Sequence, residues 1–139
     1  MKKMLQTILL MMMTLSVWAG TGAEEYTLRS TMYYPGEGRI GTHTASGDRI
    51  SAAKVKSGEC RWVALSRDMF KRHGFSMGDT IFVQSENAPM VNGYWVVKDL
   101  MAGSKKIDFL IHRSERRNFR NGPVTIRKVD STDEMLVSD

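Results

Sequence analysis

The chain is poor in the residues that build disulfide frameworks and metal sites. Its 139 residues include one cysteine, three prolines and three histidines. A single cysteine excludes an intramolecular disulfide and any zinc site with two or more thiolate ligands. Three histidines without clustered carboxylates make a poor metal site, so we expect no metal and no other cofactor. Cys60 stands in no spacing typical of a thiol nucleophile and is predicted to be a buried thiol.

A long hydrophobic run is also missing, because no apolar stretch reaches the ~20 residues that a membrane-spanning helix needs. The N-terminus begins with Met1-Lys2-Lys3, continues with an apolar run over residues 8–19 and then turns to small residues before Glu24. This order is typical of a secretory signal, and an uncleaved membrane anchor is the alternative. We therefore predict a signal peptide over 1–23, one domain over 24–130 and a flexible tail over 131–139.

The charge balance is basic, with a formal net charge of +5. Such a balance favours an anionic partner, which would be a nucleic acid, a lipid surface or an acidic cell-wall polymer. Export argues against nucleic acid, and the chain lacks the aromatic-rich basic motif of an RNA-binding sheet. We therefore expect a periplasmic or secreted monomer whose partner is peptidoglycan or a related glycan. We expect no nucleic acid and no stable membrane span after signal cleavage.

The mature part of the chain has the pattern of short strands around two brief helices. Helical turns are predicted over Arg67–His73 and His112–Phe119, and residues 35–60 are predicted to form one long loop. Few helices and many short strands indicate an all-β barrel rather than a sheet with crossover helices. The predicted strands are Tyr26–Tyr34, Arg61–Ser66, Asp79–Gln84, Tyr94–Lys98, Lys106–Ile111 and Pro123–Val129.

Two carboxylates stand out from this pattern. Asp99 is predicted to end one apolar strand, and Asp108 lies inside the next strand between Ile107 and Phe109. Burial of a carboxyl raises its pKa, and a second carboxylate nearby raises it further, which is how a proton donor is made for neutral pH. The alternative is that Asp108 simply points outward from a half-buried strand.

Short motifs follow one another in a particular order: Tyr33-Tyr34, Thr44-Ala45-Ser46-Gly47, Val63-Ala64-Leu65-Ser66, Gly78-Asp79-Thr80-Ile81-Phe82-Val83, Val97-Lys98-Asp99, Ile107-Asp108-Phe109-Leu110 and Gly122-Pro123-Val124. In this order they resemble the double-psi β-barrels over about residues 28–129. Within that group the chain is similar to rare lipoprotein A, to the three-aspartate domain of membrane-bound lytic transglycosylase A, and to the first domain of expansins. The resemblance implies an all-β, six-stranded double-psi β-barrel with one or two short helices.

The same resemblance implies a catalytic pair and a groove. Asp108 matches the essential acid of these relatives, and Asp99 matches the carboxylate that supports it. On the substrate side, Thr44 would line the groove and Tyr34 would stack on a sugar ring. We add two residues of the same loop as candidates for substrate binding, Ser46 and His43.

The sequence leaves three functions open. The first is a lytic transglycosylase-like enzyme that cleaves the MurNAc–GlcNAc bond, with Asp108 as general acid and base. The second is a non-catalytic module that binds wall polysaccharide, because expansin domains retain the acid without convincing hydrolysis. The third is a periplasmic inhibitor or adaptor that binds another protein. One departure from the three-aspartate pattern is that Asp68 is displaced from the position where these domains carry an aspartate.

Overall fold

The computed structural model describes residues 24–35, 43–115 and 122–130 of the chain. These described residues form six strands, two short α-helices and two 3₁₀ turns. The helices are α1 (Ala52–Ser57) and α2 (Arg67–Arg72), and the 3₁₀ turns cover Pro89–Val91 and Arg113–Glu115. The strands are β1 (Glu25–Tyr33), β2 (Trp62–Ser66), β3 (Thr80–Gln84), β4 (Gly93–Met101), β5 (Lys106–Leu110) and β6 (Pro123–Lys128).

The six strands close into a barrel in the order β1-β5-β2-β4-β3-β6. Two neighbouring pairs are parallel, β1 with β5 and β2 with β4, and the other four pairs are antiparallel. The neighbours and their relative directions stay the same when β1 is exchanged with β4, β2 with β5 and β3 with β6. The barrel therefore consists of two interleaved halves related by a pseudo-twofold axis, and it confirms the predicted all-β, six-stranded double-psi architecture.

The core forms because alternate residues of the strands point inward, and most of these inward residues are apolar. In β5 the inward residues Ile107 and Phe109 are fully buried, while Asp108 between them lies on the outer face. Trp95 packs edge-on against Phe109, with ring centroids 4.9 Å apart, and its indole N–H donates to the Val91 carbonyl oxygen at 2.8 Å. The barrel interior is thus filled by side chains.

Two sequence predictions need correction. The predicted loop over 35–60 contains helix α1, which begins where the Ser51 hydroxyl accepts a hydrogen bond from the Lys54 amide and ends at Gly58, with a φ of +83°. The helix was missed because it buries one apolar side chain, Val55, and so shows no apolar period. Strand β4 continues to Met101, so Asp99 lies within a strand rather than at its end.

Of the predicted helix over His112–Phe119, Arg113–Glu115 is a 3₁₀ turn, His112 lies just before that turn, and residues 116–119 lie outside the described residues. The predicted signal peptide and tail also lie outside them. Among the residues that the structure describes, no helix is both long enough and apolar enough to cross a bilayer.

Candidate functional site

Four paired positions form a row across the outer face of the barrel. Thr31 on β1 pairs with Asp108 on β5, and Asp108 pairs in turn with Ala64 on β2. Ala64 then pairs with Asp99 on β4. Paired residues on adjacent strands present their side chains to the same face of a sheet. The structure therefore brings the two predicted carboxylates to one surface, and we call these four residues the acid row.

A β-bulge in β4 decides which side chain joins the acid row. The β2–β4 pairing shifts between Val63 and Ala64, so Val63 faces Val97 while Ala64 faces Asp99. Lys98 is the extra residue that the bulge accommodates. Its ammonium group pairs instead with the carboxylate of Asp48 at 3.0 Å. Regular pairing would have placed a lysine beside Ala64, and the bulge places a carboxylate there.

Asp108 is half-buried and has a perturbed acidity. Burial raises its pKa to about 6, because a charged carboxylate is poorly solvated there. The Thr31 hydroxyl donates to Oδ1 of Asp108 at 2.9 Å and opposes this shift, while the negative charge of Asp99 adds to it. A carboxyl with this pKa gives up and regains a proton close to neutral pH, as general acid–base chemistry requires.

Asp99 is fixed by backbone donors. Its Oδ1 accepts hydrogen bonds from the amides of Ala45 and Leu100, both at 2.9 Å. Between Asp99 and Asp108 stands Ala64, whose methyl group fills little of the space between them. The backbones of β4 and β5 lie two strand spacings apart at this point, which is ~10 Å. The arrangement therefore places one carboxylate on each side of a small residue.

The loop from Thr44 to Asp48 folds against this surface and holds Asp99 through the Ala45 amide. Its hydroxyls bond one another, with Thr44 Oγ1 and Ser46 Oγ 2.7 Å apart and Ser46 Oγ donating to Asp48 Oδ2 at 2.6 Å. The Ser46 amide donates to the Lys98 carbonyl oxygen at 3.1 Å, which ties the loop to the bulge. Thr44 and Ser46 therefore shape the loop beside the acid row, and their binding of a substrate stays a prediction.

Tyr34 and His43, the other two predicted binding residues, do not belong to the hydroxyl network of this loop. Tyr34 is 9% exposed and belongs to the main core cluster, so its ring does not present an open face for stacking on a sugar. Its inward position follows from β1, where Tyr33 takes the outward side and Tyr34 the next, inward one. His43 is exposed and pairs in an isolated bridge with Arg49.

A second apolar cluster covers the outer face next to the acid row. Tyr33 and Leu110, each two residues beyond a member of the row, pack there with Val55 of α1 and with Cys60. Cys60 is buried as predicted, and burial raises the pKa of its thiol. Trp62 and Ile50 pack against the same cluster.

Asp68, the displaced aspartate, has a structural role in the turn between β4 and β5. Its Oδ1 accepts from the Ser66 hydroxyl at 2.6 Å, and its Oδ2 accepts from the Ser104 hydroxyl and the Lys105 amide, both at 3.0 Å. These bonds hold the turn between β4 and β5. Asp68 therefore stabilises the connection between the two strands that carry Asp99 and Asp108.

Sequence reasoning missed Thr31 and Ala64. Both are ordinary residues in strand patterns, and they join the site only because β1 and β2 flank β5. The sequence signal that could have placed Thr31 at the site was weak, namely its outward position two residues before Tyr33. Within residues 24–35, 43–115 and 122–130, no group of three or more His, Cys, Asp and Glu side chains is placed to hold a metal ion.

Comparison with known proteins gives a likeness of fold. No family model and no curated protein matches the chain. Among solved structures, the crystal structure of an apo expansin from Clavibacter michiganensis matches with a TM-score of 0.51 and 18% sequence identity. The match covers 78% of this chain and 52% of the expansin, so the chain spans about half the length of that protein. At this identity the likeness establishes the fold. It agrees with the expansin branch of the sequence resemblance and does not single out rare lipoprotein A or the three-aspartate domain.

Proposed function

We propose that this protein acts on a cell-wall glycan, with Asp108 as the group that transfers a proton to and from the sugar. The observation that carries the proposal is the acid row, in which a half-buried carboxyl with a pKa of about 6 faces a second carboxylate across Ala64. A carboxyl that titrates near neutral pH beside a second carboxyl group is the pairing that glycosidic bond cleavage uses.

The chemistry follows the lytic transglycosylases that the sequence resembles. Neutral Asp108 donates its proton to the glycosidic oxygen between MurNAc and GlcNAc, and the bond from that oxygen to the anomeric carbon breaks. The resulting Asp108 carboxylate then accepts the proton of the 6-hydroxyl as that oxygen bonds to the anomeric carbon. The product is a 1,6-anhydro end, no water is consumed, and Asp108 regains its proton. Asp99 would stabilise the positive charge that develops on the sugar.

The second candidate is a module that binds wall polysaccharide without cleaving it. The likeness of fold to an expansin favours it. The sequence resemblance adds that expansin domains retain the acid without convincing hydrolysis. The acid row then serves as a set of acceptors for sugar hydroxyls. In either case we infer an exported protein of the periplasm or the extracellular space, whose positive net charge suits the peptide carboxylates of peptidoglycan.

The test is incubation of the purified protein with peptidoglycan sacculi, followed by chromatography and mass spectrometry of the soluble products. We expect the wild type to release anhydro-muropeptides and Asp108→Asn to release none. Asp130→Asn, at an exposed position after β6, is the matched control and should release them normally. Sacculus binding without release by the wild type would select the binding module. Neither binding nor release would contradict both candidates and leave the protein-binding adaptor.

A further inference from the structure

Tyr33 presents a buried hydroxyl for which the described part of the chain provides no hydrogen-bond partner. The residue is 8% exposed, in the apolar cluster beside the acid row. A buried donor without an acceptor costs folding free energy, so such a group in a native structure calls for an explanation. Removal of the oxygen atom alone would relieve that cost.

The position of Tyr33 relates its hydroxyl to the acid row. Tyr33 follows Thr31 by two residues on β1, so both side chains lie on the same outer face. Its paired neighbour on β5, Leu110, follows Asp108 by two residues in the same way. The negative charges of both Asp99 and Asp108 act on the phenol. The ring therefore lies alongside the row, close enough to feel both carboxylates.

The protonation of this phenol is fixed. Burial, together with the charges of the two aspartates, raises the pKa of Tyr33 far above its ordinary value. The phenol stays protonated over the working pH range and is a hydrogen-bond donor. The acid row otherwise offers acceptors, because the Thr31 hydroxyl already gives its proton to Asp108.

The acceptor for this donor is not one of the carboxylates. Asp108 is oriented by Thr31, and Asp99 is oriented by the amides of Ala45 and Leu100. In these orientations neither carboxylate comes within hydrogen-bond distance of the Tyr33 hydroxyl. An acceptor from outside the chain would satisfy this donor.

We propose that Tyr33 is a ligand-binding residue whose hydroxyl donates a hydrogen bond to an acceptor oxygen of a glycan bound over the acid row. This inference rests on the proposed function. The sugar's hydroxyl groups donate to Asp99 and Asp108, and an oxygen that cannot donate, in an acetamido carbonyl or an ether link, accepts from Tyr33. The apolar side chains of the cluster around Tyr33, among them Val55 and Ile50, are the cover that would shift to admit that oxygen.

The experiment compares Tyr33→Phe with the wild type in two assays that should move in opposite directions. Urea unfolding should show a higher midpoint for Tyr33→Phe, because the unpaired oxygen is gone. Binding to purified sacculi, measured by co-sedimentation on ice, should weaken about tenfold, as expected for one lost hydrogen bond in a closed site. The matched control is Tyr26→Phe, whose hydroxyl donates to exposed Glu24 and should leave binding unchanged.

The outcomes separate this inference from the proposed function. If the wild type does not bind sacculi, the proposed function fails and this inference fails with it. If the wild type binds and Tyr33→Phe binds equally well, the inference alone is overturned. A lower unfolding midpoint for Tyr33→Phe would show that the hydroxyl has a structural partner, and it would overturn the inference as well.

Discussion

At the scale of single residues, the acidity of Asp108 is set by opposing effects. Burial raises its pKa most, the Thr31 hydroxyl lowers it, and the charge of Asp99 raises it. Ionisation of a poorly solvated carboxyl costs folding free energy, so the residue that suits proton transfer also weakens the fold. Such a conflict between stability and chemistry is common at functional sites.

The first prediction at this scale concerns stability against pH. The pKa of Asp108 rises from 3.8 unfolded to about 6 folded, so the native state binds more protons between these values. The stabilisation from protonated Asp108 is therefore complete below about pH 4 and is lost as the pH rises through 6. Asp108→Asn cannot ionise, and we expect it to be more stable than the wild type by roughly 3 kcal/mol at pH 7.5 and about equal at pH 4.

Urea unfolding at the two pH values measures this difference. Asp130→Asn, which removes an exposed carboxylate, is the control and should show no such pH-dependent gain. If Asp108→Asn is destabilised at pH 7.5, or if its effect is the same at both pH values, the burial argument for Asp108 is wrong.

At the scale of elements, a bulge and a loop shape the site. The bulge at Lys98 turns Asp99 toward the acid row, and the loop over Thr44–Asp48 donates the Ala45 amide to that carboxylate. The loop turns at Gly47, which has a φ of +90° and open space around its Cα hydrogen atoms. A side chain at such a φ is strained, so glycine is the residue that the turn favours.

The prediction for this element is that Gly47→Ala loosens the loop without unfolding the barrel. Strain in the turn should weaken the bond from the Ala45 amide to Asp99, and hydrogen exchange at that amide should accelerate about tenfold. Gly74→Ala, with a φ of +74° at the end of α2, introduces similar strain elsewhere and is the control. Equal exchange at Ala45 in Gly47→Ala and the wild type would show that the turn does not hold the loop.

The elements also show how far the sequence predicts the structure. The six strands were predictable because their apolar alternation is local. Strand β4 differed by continuing past the predicted end at Lys98, through Asp99, to Met101. Helix α1 was not predicted, since its one buried residue gives no period, although Ser51 and Gly58 were capping signals that could have been used. The resemblance implied that Tyr34 stacks on a sugar, whereas its ring lies in the core, because the alternation that points Tyr33 outward points Tyr34 inward.

At the scale of the whole molecule, the acid row lies on the pseudo-twofold axis. The exchange of halves that maps β2 onto β5 also maps Ala64 onto Asp108, and it maps Thr31 onto Asp99. The site therefore lies where two similar halves meet, and the halves carry different residues at both pairs of equivalent positions. Asp99 and Asp108 could be paired from the sequence through the family resemblance, although β2 lies between their strands in the barrel. Thr31 and Ala64 could not, because their contacts with Asp108 depend on strand pairings between distant parts of the chain.

The most direct test of the account is a titration of the Asp108 side-chain carboxyl in the folded protein by ¹³C NMR, with Asp108→Asn used to assign its signal. The account predicts a midpoint at about pH 6, because burial of this carboxyl outweighs its hydrogen bond to Thr31. A midpoint near 4, the value of an ordinary aspartate, would contradict it: Asp108 would then be a solvated surface carboxylate with no proton to give at neutral pH.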